Sequence, residues 1–354
     1  MATHRNTENN RWVAKPEGST WGDFGPDDVL GRLNLLTPEK VREGFAEVRD
    51  HRTFSLSLPL TLPGGTVLNP NRLPPVHRPN LRNGLVNANC QISQVHEGAT
   101  DVLNDDLVVL HNQYSTQWDS LAHAGSMFDA DGDGVPEPVY YNGYRAGTDV
   151  HSPERPEDCS VTDPSTSTAD FGPLGIHSMA QHPIQGRAVL VDLEKHLGRD
   201  RKPVGFDDLQ QIINEDQLDI RPGDIMVVHT GFATELMAMG GKPDSQKLEP
   251  LGAGLDGRDQ RLLQWITDVG IAAIAADNTA VELYPALPVE GPAAILPLHE
   301  HCLFKLGVPL GELWYTQDLA HALREAGRSA FLLTAPPLHL PGAAGSPLNP
   351  IATI

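Results

Sequence analysis

The sequence predicts an α/β fold with long loop insertions, and three observations predict it. Between residues 186 and 334, apolar strand-like runs alternate with segments of helical period. Gly and Pro are abundant, 33 and 30 residues, which implies many turns and ordered loops rather than long helices. A chain of 354 residues that is 40% hydrophobic can bury a substantial core, and without an internal repeat or a low-complexity linker it reads as one domain.

Taken in order, residues 1–20 are polar and aperiodic and predict a flexible or surface-draped arm, with a single domain over 21–354. Thr37 and Pro38 form the N-cap and first position of a helix running to about Val48. Thr53 to Leu62 alternates polar and apolar residues, as a half-buried strand does. Residues 63–100 are rich in Pro and Asn and lack a period, the mark of a lid or an interface arm. Asp106 to Leu110 is a strand that leads into a stretch unusually dense in coordinating groups. Strands follow at Gly186–Leu193, Asp224–Gly231, Gly270–Asp277 and Ala330–Thr334. Helices fall at Gly205–Ile213, at Arg258–Val269, from Pro297 to Leu306 and at Leu319–Ala326, and the tail through Pro350 reads as loop.

Lys plus Arg total 26 against 46 Asp plus Glu, a formal charge of -20, so nucleic acid and anionic membranes are poor partners. Cys90, Cys159 and Cys302 are scattered and odd in number, which fits a reducing compartment. The polar N-terminus and the lack of any run of about eighteen apolar residues point to a soluble cytoplasmic protein.

Residues 110–123, LHNQYSTQWDSLAH, concentrate coordinating groups. As a strand, its period of two places His111, Gln113, Ser115, Gln117 and Asp119 on one face. A helical turn near Ser120 would lean His123 back over Asp119 and close a cup of oxygen and nitrogen donors. The alternative is a polar sheet face satisfied by water and neighbouring backbone. Asp129, Asp131 and Asp133 with Gly134 resemble the first half of a calcium loop spanning 129–137, but the twelfth position is Tyr140 and not Glu. A solvated acidic turn is the competing reading. A second donor group, His299-Glu300-His301, lies near a helix start, where the two imidazoles point about 200° apart, so one of them serves a given ion.

These stretches resemble the cyclase family that includes kynurenine formamidase, whose hallmark is His-x-Gly-Thr-His-x-Asp-x-x-x-His followed by a later His and Glu. Here Gln113-Tyr-Ser115-Thr116-Gln117-Trp-Asp119-Ser-Leu-Ala-His123 matches at Thr116, Asp119 and His123, with Ser for Gly and Gln at both leading His positions. The resemblance extends over Trp21 to Leu36, His229-Thr230-Gly231, Gly270–Asp277 and Leu298 to Pro350, and is strongest to longer members with Gln-Trp-Asp in place of His-x-Asp.

The resemblance implies a swivelling β/β/α fold and a metal-dependent hydrolase acting on an amide, formamide or lactone. It makes His123 the acid/base and Gln113, Gln117, Asp119, His299 and Glu312 the metal positions, His299 being preferred to His301 by its thirteen-residue step to Glu312. Amide oxygens are weak donors beside imidazole, so one divalent ion, Mn or Zn before Mg, is expected rather than two. No Gly-x-Ser-x-Gly elbow is present to support a serine esterase. A ring-forming or ring-opening member, and a non-catalytic binding member without tight metal, remain alternatives. The expected partner is a small molecule, aromatic or cyclic if Trp118, Phe128, Tyr140, Tyr141 and Tyr144 line its pocket. The family also implies a homo-oligomer, dimer or tetramer.

Overall fold

The computed structural model describes residues 11–159 and 167–354. A nine-stranded mixed sheet organises it: β1 (Thr53–Ser55), β2 (Gln117–Asp119), β3 (Gln185–Asp192), β4 (Ile225–His229), β5 (Ala273–Ala276), β6 (Leu310–Glu312), β7 (Ala330–Thr334), β8 (Gly345–Pro347) and β9 (Ile351–Thr353). Their spatial order is β1-β9-β7-β3-β4-β5-β6-β2-β8. Strands β3 to β6 run parallel, and antiparallel strands complete both margins. Each parallel step needs a long crossover. The helices Phe206–Glu215 and Gln260–Val269 and the helical stretch from Pro297 to Leu306 lie in those crossovers.

The parallel strands read as continuous apolar runs because both faces are covered. Val189, Val191, Met226, Val228 and Ile274 join one core with Leu209, Ile212, Leu262 and Ile266 of two crossover helices. The alternate residues Ala188, Leu190, Ile225, Val227 and Ala275 join a second core with Leu319 and Leu323 of the helix Gln317–Ala326. Thr37 caps its helix as the sequence predicts, accepting from the Lys40 amide, whereas Asp259, placed inside a helix by the sequence reading, is the cap of Gln260–Val269 and accepts from the amides of Arg261 and Leu262.

Four predictions need correction. The arm does not extend to residue 20: residues 1–10 lie outside the described residues, but Trp12 is buried with its ring 5.7 Å from that of Trp21, and the Val13 amide donates to the Ala130 carbonyl. One aromatic anchor without a period leaves no pattern to read. The strand over Thr53–Leu62 is only three residues long, although Leu56 and Leu58 are buried. The tail holds β8, an edge strand whose Pro347 is tolerated because no further neighbour needs its missing N–H. Finally, Asp106–Val109 pairs with Val76–Pro79 in a two-stranded ribbon outside the main sheet and does not run into β2.

Every residue of that ribbon pair is exposed, with Val76, Leu107, Val108 and Val109 open to solvent, and Leu81, Val86, Val102 and Leu103 exposed farther along the arm. An isolated two-stranded ribbon is marginal in water. The homo-oligomer expected from the sequence would give this apolar surface a partner, a second copy of the chain. Sedimentation velocity at micromolar concentration is expected to give more than one chain's mass, and replacing Val76, Leu107 and Val109 together by Ser to return it toward one. A single-chain mass for the unaltered protein would remove self-association. No helix among the described residues is long and apolar enough to cross a membrane.

Candidate metal centre and cavity

Register builds the first half of the site. Gln117 faces Glu312 directly across the β2–β6 pair, and Asp119 lies two residues on, so all three side chains share one face. Trp118 points to the opposite face, where its ring meets Trp314 edge-on at 5.0 Å and its Nε1 donates to the Ala335 carbonyl. Gly311 sits opposite Trp118, and a Cβ there would come within 2.8 Å of Trp314 Nε1 and 3.0 Å of the Trp118 ring. The two tryptophans therefore hold the register that aligns Gln117 with Glu312.

The second half comes from the helix opening at Pro297. Glu282 Oε2 accepts the Leu298 amide and Oε1 the His299 amide, both at 3.0 Å, so this carboxylate caps the helix start. Glu282 Oε1 also lies 2.7 Å from His299 Nδ1, which turns Nε2 toward Glu312 Oε1 at 3.4 Å. A histidine whose far nitrogen is held by a carboxylate is the usual arrangement of a metal-binding imidazole. Ala280 and Val281, at φ 74° and 59°, take the left-handed conformation on the approach to Glu282. Such backbone costs roughly 1–3 kcal/mol per residue and persists where surrounding contacts enforce it. Here those contacts are Leu255 N to Val281 O and Asn278 Nδ2 to Ala253 O.

His123 follows Asp119 in a hydrogen-bonded turn, not the predicted helical turn, with its amide bound to the Ser120 carbonyl. Its Nδ1 still reaches 3.8 Å from Asp119 Oδ1, and its ring centre lies 6.2 Å from that of His299. Asp119, His123 and His299 each offer one donor atom within 4.8 Å of the others, with Glu312 adjoining. Gln117 directs Nε2 to Asp119 Oδ1 at 3.3 Å and Glu312 Oε2 at 3.2 Å. Its Oε1 is buried without a hydrogen-bond partner among the described residues. A half-turn of the amide would exchange the two Nε2 contacts for an oxygen aimed at a cation held by the carboxylates. Two buried carboxylates, two imidazoles and this orphaned oxygen fit a divalent ion.

The other predicted residues divide plainly. Gln113 borders the cavity and gives its backbone carbonyl to Arg72 Nη1, but no hydrogen bond ties its side chain to the donor group. His111 is exposed, because residues 111–116 form turns and only Gln117–Asp119 is strand. The five-residue polar strand face therefore does not form. His301 turns to Thr267 Oγ1 at 3.0 Å on the neighbouring helix, and burial with Lys305 nearby lowers its pKa to about 4. Glu282 escaped the sequence reading, since a Glu in a loop seventeen residues before its His has no spacing signature.

Electrostatics follow from crowding. Burial raises the Asp119 pKa, and the neighbouring Glu312 charge adds to it against His123 and His299. Burial also works against the Glu312 charge, but His299, with Arg72 and His123 adding to it, holds Glu312 below its ordinary value. His299, though buried, is raised to about 10 by Glu282 and Glu312.

His123, His299 and Glu312 line a cavity of about 380 Å³ whose walls include Leu68, Tyr114, Tyr284, Ile295, Leu296 and Leu313, with Asp119 buried beside them. The aromatic lining differs from the prediction. Trp118 and Tyr141 are core residues, Phe128 packs on Trp21, Tyr140 is part of the packing around that core, and Tyr144 is buried. Tyr114 and Tyr284 are the aromatics that border the cavity.

Two further acidic groups lie elsewhere. In the 129–137 loop the carboxylates of Asp129, Asp131 and Asp133 converge, while accepting the amides of Gly132, Gly134, Asp133 and Val135. Arg145 approaches Asp131 at 3.5 Å and Glu137 at 2.8 Å, so a cation already serves this turn. Asp192, Glu194 and His229 also converge, but Arg324 grips both carboxylates and Arg199 binds Glu194. This second group is a charge-compensated brace.

In that brace, burial disfavours the His229 charge, yet Asp277 and Glu194 raise its pKa to about 9. A raised histidine contributes stability in full below its unfolded value near 6.5 and loses it as pH rises through the folded value. Thermal melts between pH 6.5 and 9.5 are expected to fall more for the unaltered protein than for His229→Gln. Parallel curves would show that His229 is neutral in the fold.

Comparison with known proteins places this geometry in context. The Cyclase family model matches residues 54–283. A crystal structure of a novel cyclase superposes with a TM-score of 0.70 at 28% identity, covering 96% of this chain and 100% of that one. Isatin hydrolase A from Labrenzia aggregata, bound to benzyl benzoate, gives a TM-score of 0.52 at 11% identity over 85% of this chain and 93% of its own. An isatin hydrolase bound to the product analogue thioisatinate gives 0.51 at 12% over 90% and 99%. No curated protein sequence matches significantly.

Proposed function

The chain belongs to the cyclase family, and from that premise we propose that it is a metal-dependent hydrolase cleaving the C–N bond of an amide or formamide. The observation that carries this reading is the Glu282–His299–Glu312 line meeting Asp119 and His123, with His123, His299 and Glu312 lining a cavity. Asp119, His299 and Glu312 would hold one Mn²⁺ or Zn²⁺, with the Gln117 amide beside both carboxylates. A divalent ion so held supplies Lewis acidity toward a carbonyl oxygen and toward water.

The chain's own residues then have distinct tasks. Asp119 stands beside Nδ1 of His123, and Nε2 of that ring has no hydrogen-bond partner among the described residues. His123 is thereby free to take the proton of the attacking water as the C–O bond forms. It returns that proton to the departing nitrogen as the C–N bond breaks. The apolar walls exclude bulk water and accept an apolar substrate body.

A hydrolase screen over formanilide, a cyclic imide and an aromatic lactone, each with Mn²⁺ or Zn²⁺, tests the reading. Turnover of the amide or formamide that disappears with chelator and returns with metal is expected. Lactone cleavage alone would move the protein to the ring-opening reading. Tight small-molecule binding with no metal and no turnover would move it to the binding-protein reading.

A further inference from the structure

One cation faces the cavity from the loop that precedes the ribbon. Arg72 is the sole Lys or Arg among the cavity's described lining residues, and its side chain is 26% exposed. Nη1 donates to the Gln113 carbonyl at 2.8 Å and lies 3.9 Å from Glu312 Oε2. Its Nε and Nη2 have no hydrogen-bond partner among the described residues.

The loop is held before any ligand arrives. Tyr114 Oη accepts the Gly64 amide at 3.0 Å and donates to the Gly65 carbonyl at 2.9 Å. Asn69 accepts the Asn71 amide through Oδ1 and the Arg72 amide through its carbonyl, closing the turn that carries Arg72. A guanidinium is a rigid planar fork, matched to two oxygens of one carboxylate. Fixing it through Nη1 orients the remaining N–H groups and lowers the ordering cost of using them.

Charge gives that fork a specific role. The chain carries a formal charge of -20, and Glu312 lines the cavity with Asp119 buried beside it. An anionic ligand entering here meets repulsion from these carboxylates, and besides the imidazoles of His123 and His299, Arg72 is the one guanidinium or ammonium on the described lining that can offset it. A neutral ligand would need no cation at this wall, and Glu312 at 3.9 Å already has His299 as a nearer partner.

We propose that Arg72 is the carboxylate anchor of the cavity, and that the substrate class is an amide or formamide with an apolar body and a free carboxylate. The substrate part of this inference rests on the hydrolase reading, whereas the anchor itself does not. Arg72 is a binding residue that touches the ligand, on the cavity wall opposite in charge to the donor group.

Benzoate and benzamide, nearly equal in shape and different in charge, are the probes. Isothermal titration with chelator-treated protein is expected to show benzoate binding that weakens about tenfold or more in Arg72→Gln, with benzamide changed less than twofold. Arg72→Lys, which keeps the charge and loses the fork, is expected to fall between them. Equal weakening of both probes in Arg72→Gln would make Arg72 a shaping residue and overturn the anchor, as would unchanged benzoate binding or benzoate binding no tighter than benzamide. Thermal melts of the free variants verify that each is folded.

Repeating the titration with Mn²⁺ separates the two readings. If no metal binds and no amide is cleaved, the hydrolase reading fails while the benzoate difference in chelated protein still stands. If metal binds and benzoate affinity depends on the ion but not on Arg72, the anchor fails while the hydrolase reading stands.

Discussion

Asp119→Asn is expected to weaken binding of the divalent ion by more than about a hundredfold, because loss of even an outer partner of a ligand typically costs 10–100-fold. Turnover should fall at least in proportion. The substitution keeps shape and removes one buried charge from a pair, Asp119 and Glu312, whose repulsion and burial both disfavour ionisation. The metal-free Asp119→Asn protein should therefore melt at or above the metal-free unaltered protein. With Mn²⁺ present the order should reverse, because only the unaltered chain gains the stabilisation of a bound ligand. A variant that melts lower in both conditions would assign Asp119 to the structure and not to an ion.

His123→Ala addresses the chemistry instead of the binding. Loss of a general acid/base typically costs about 10²–10⁴ in rate. That loss is expected here in kcat, with ion affinity changed less than tenfold. The geometry makes this a demanding test, since a His123 nitrogen lies within 4.8 Å of donor atoms of Asp119 and His299 and could serve as a ligand. If Mn²⁺ affinity falls as far in His123→Ala as in Asp119→Asn, His123 is a ligand and proton transfer passes to another group. A pH–rate profile that keeps its shape in His123→Ala would lead to the same reassignment.

The legible parts of this protein are those where local chemistry decides. The strands β3, β4, β5 and β7 announce themselves as apolar runs because two covered faces leave no room for polar alternation, and the helix start at Pro38 follows from Thr37. The parts that were not legible depend on partners far along the chain. Gly345–Pro347 is a strand only because Gln117–Asp119 pairs with it, and Asp106–Val109 leaves the main sheet only because Val76–Pro79 is its partner.

The donor group divides in the same way. Asp119 and His123 are four residues apart, so their proximity survives the replacement of the predicted helical turn by another turn. Which imidazole faces Glu312 has no signature in the spacing without the family resemblance; in the fold it is His299, whose Nδ1 is held by Glu282. Gln117 shows the limit of residue-type reasoning. Its position is that of a ligand, yet its amide nitrogen spans the two carboxylates and only its orphaned oxygen speaks for a cation.

Titration of Mn²⁺ into chelator-treated protein, followed by calorimetry, tests the central claim most directly. One ion per chain for the unaltered protein, lost in Asp119→Asn and weakened about 10–100-fold in Glu282→Gln, is the predicted result. No saturable binding, or binding that both variants retain unchanged, would contradict the assignment of this site to a metal.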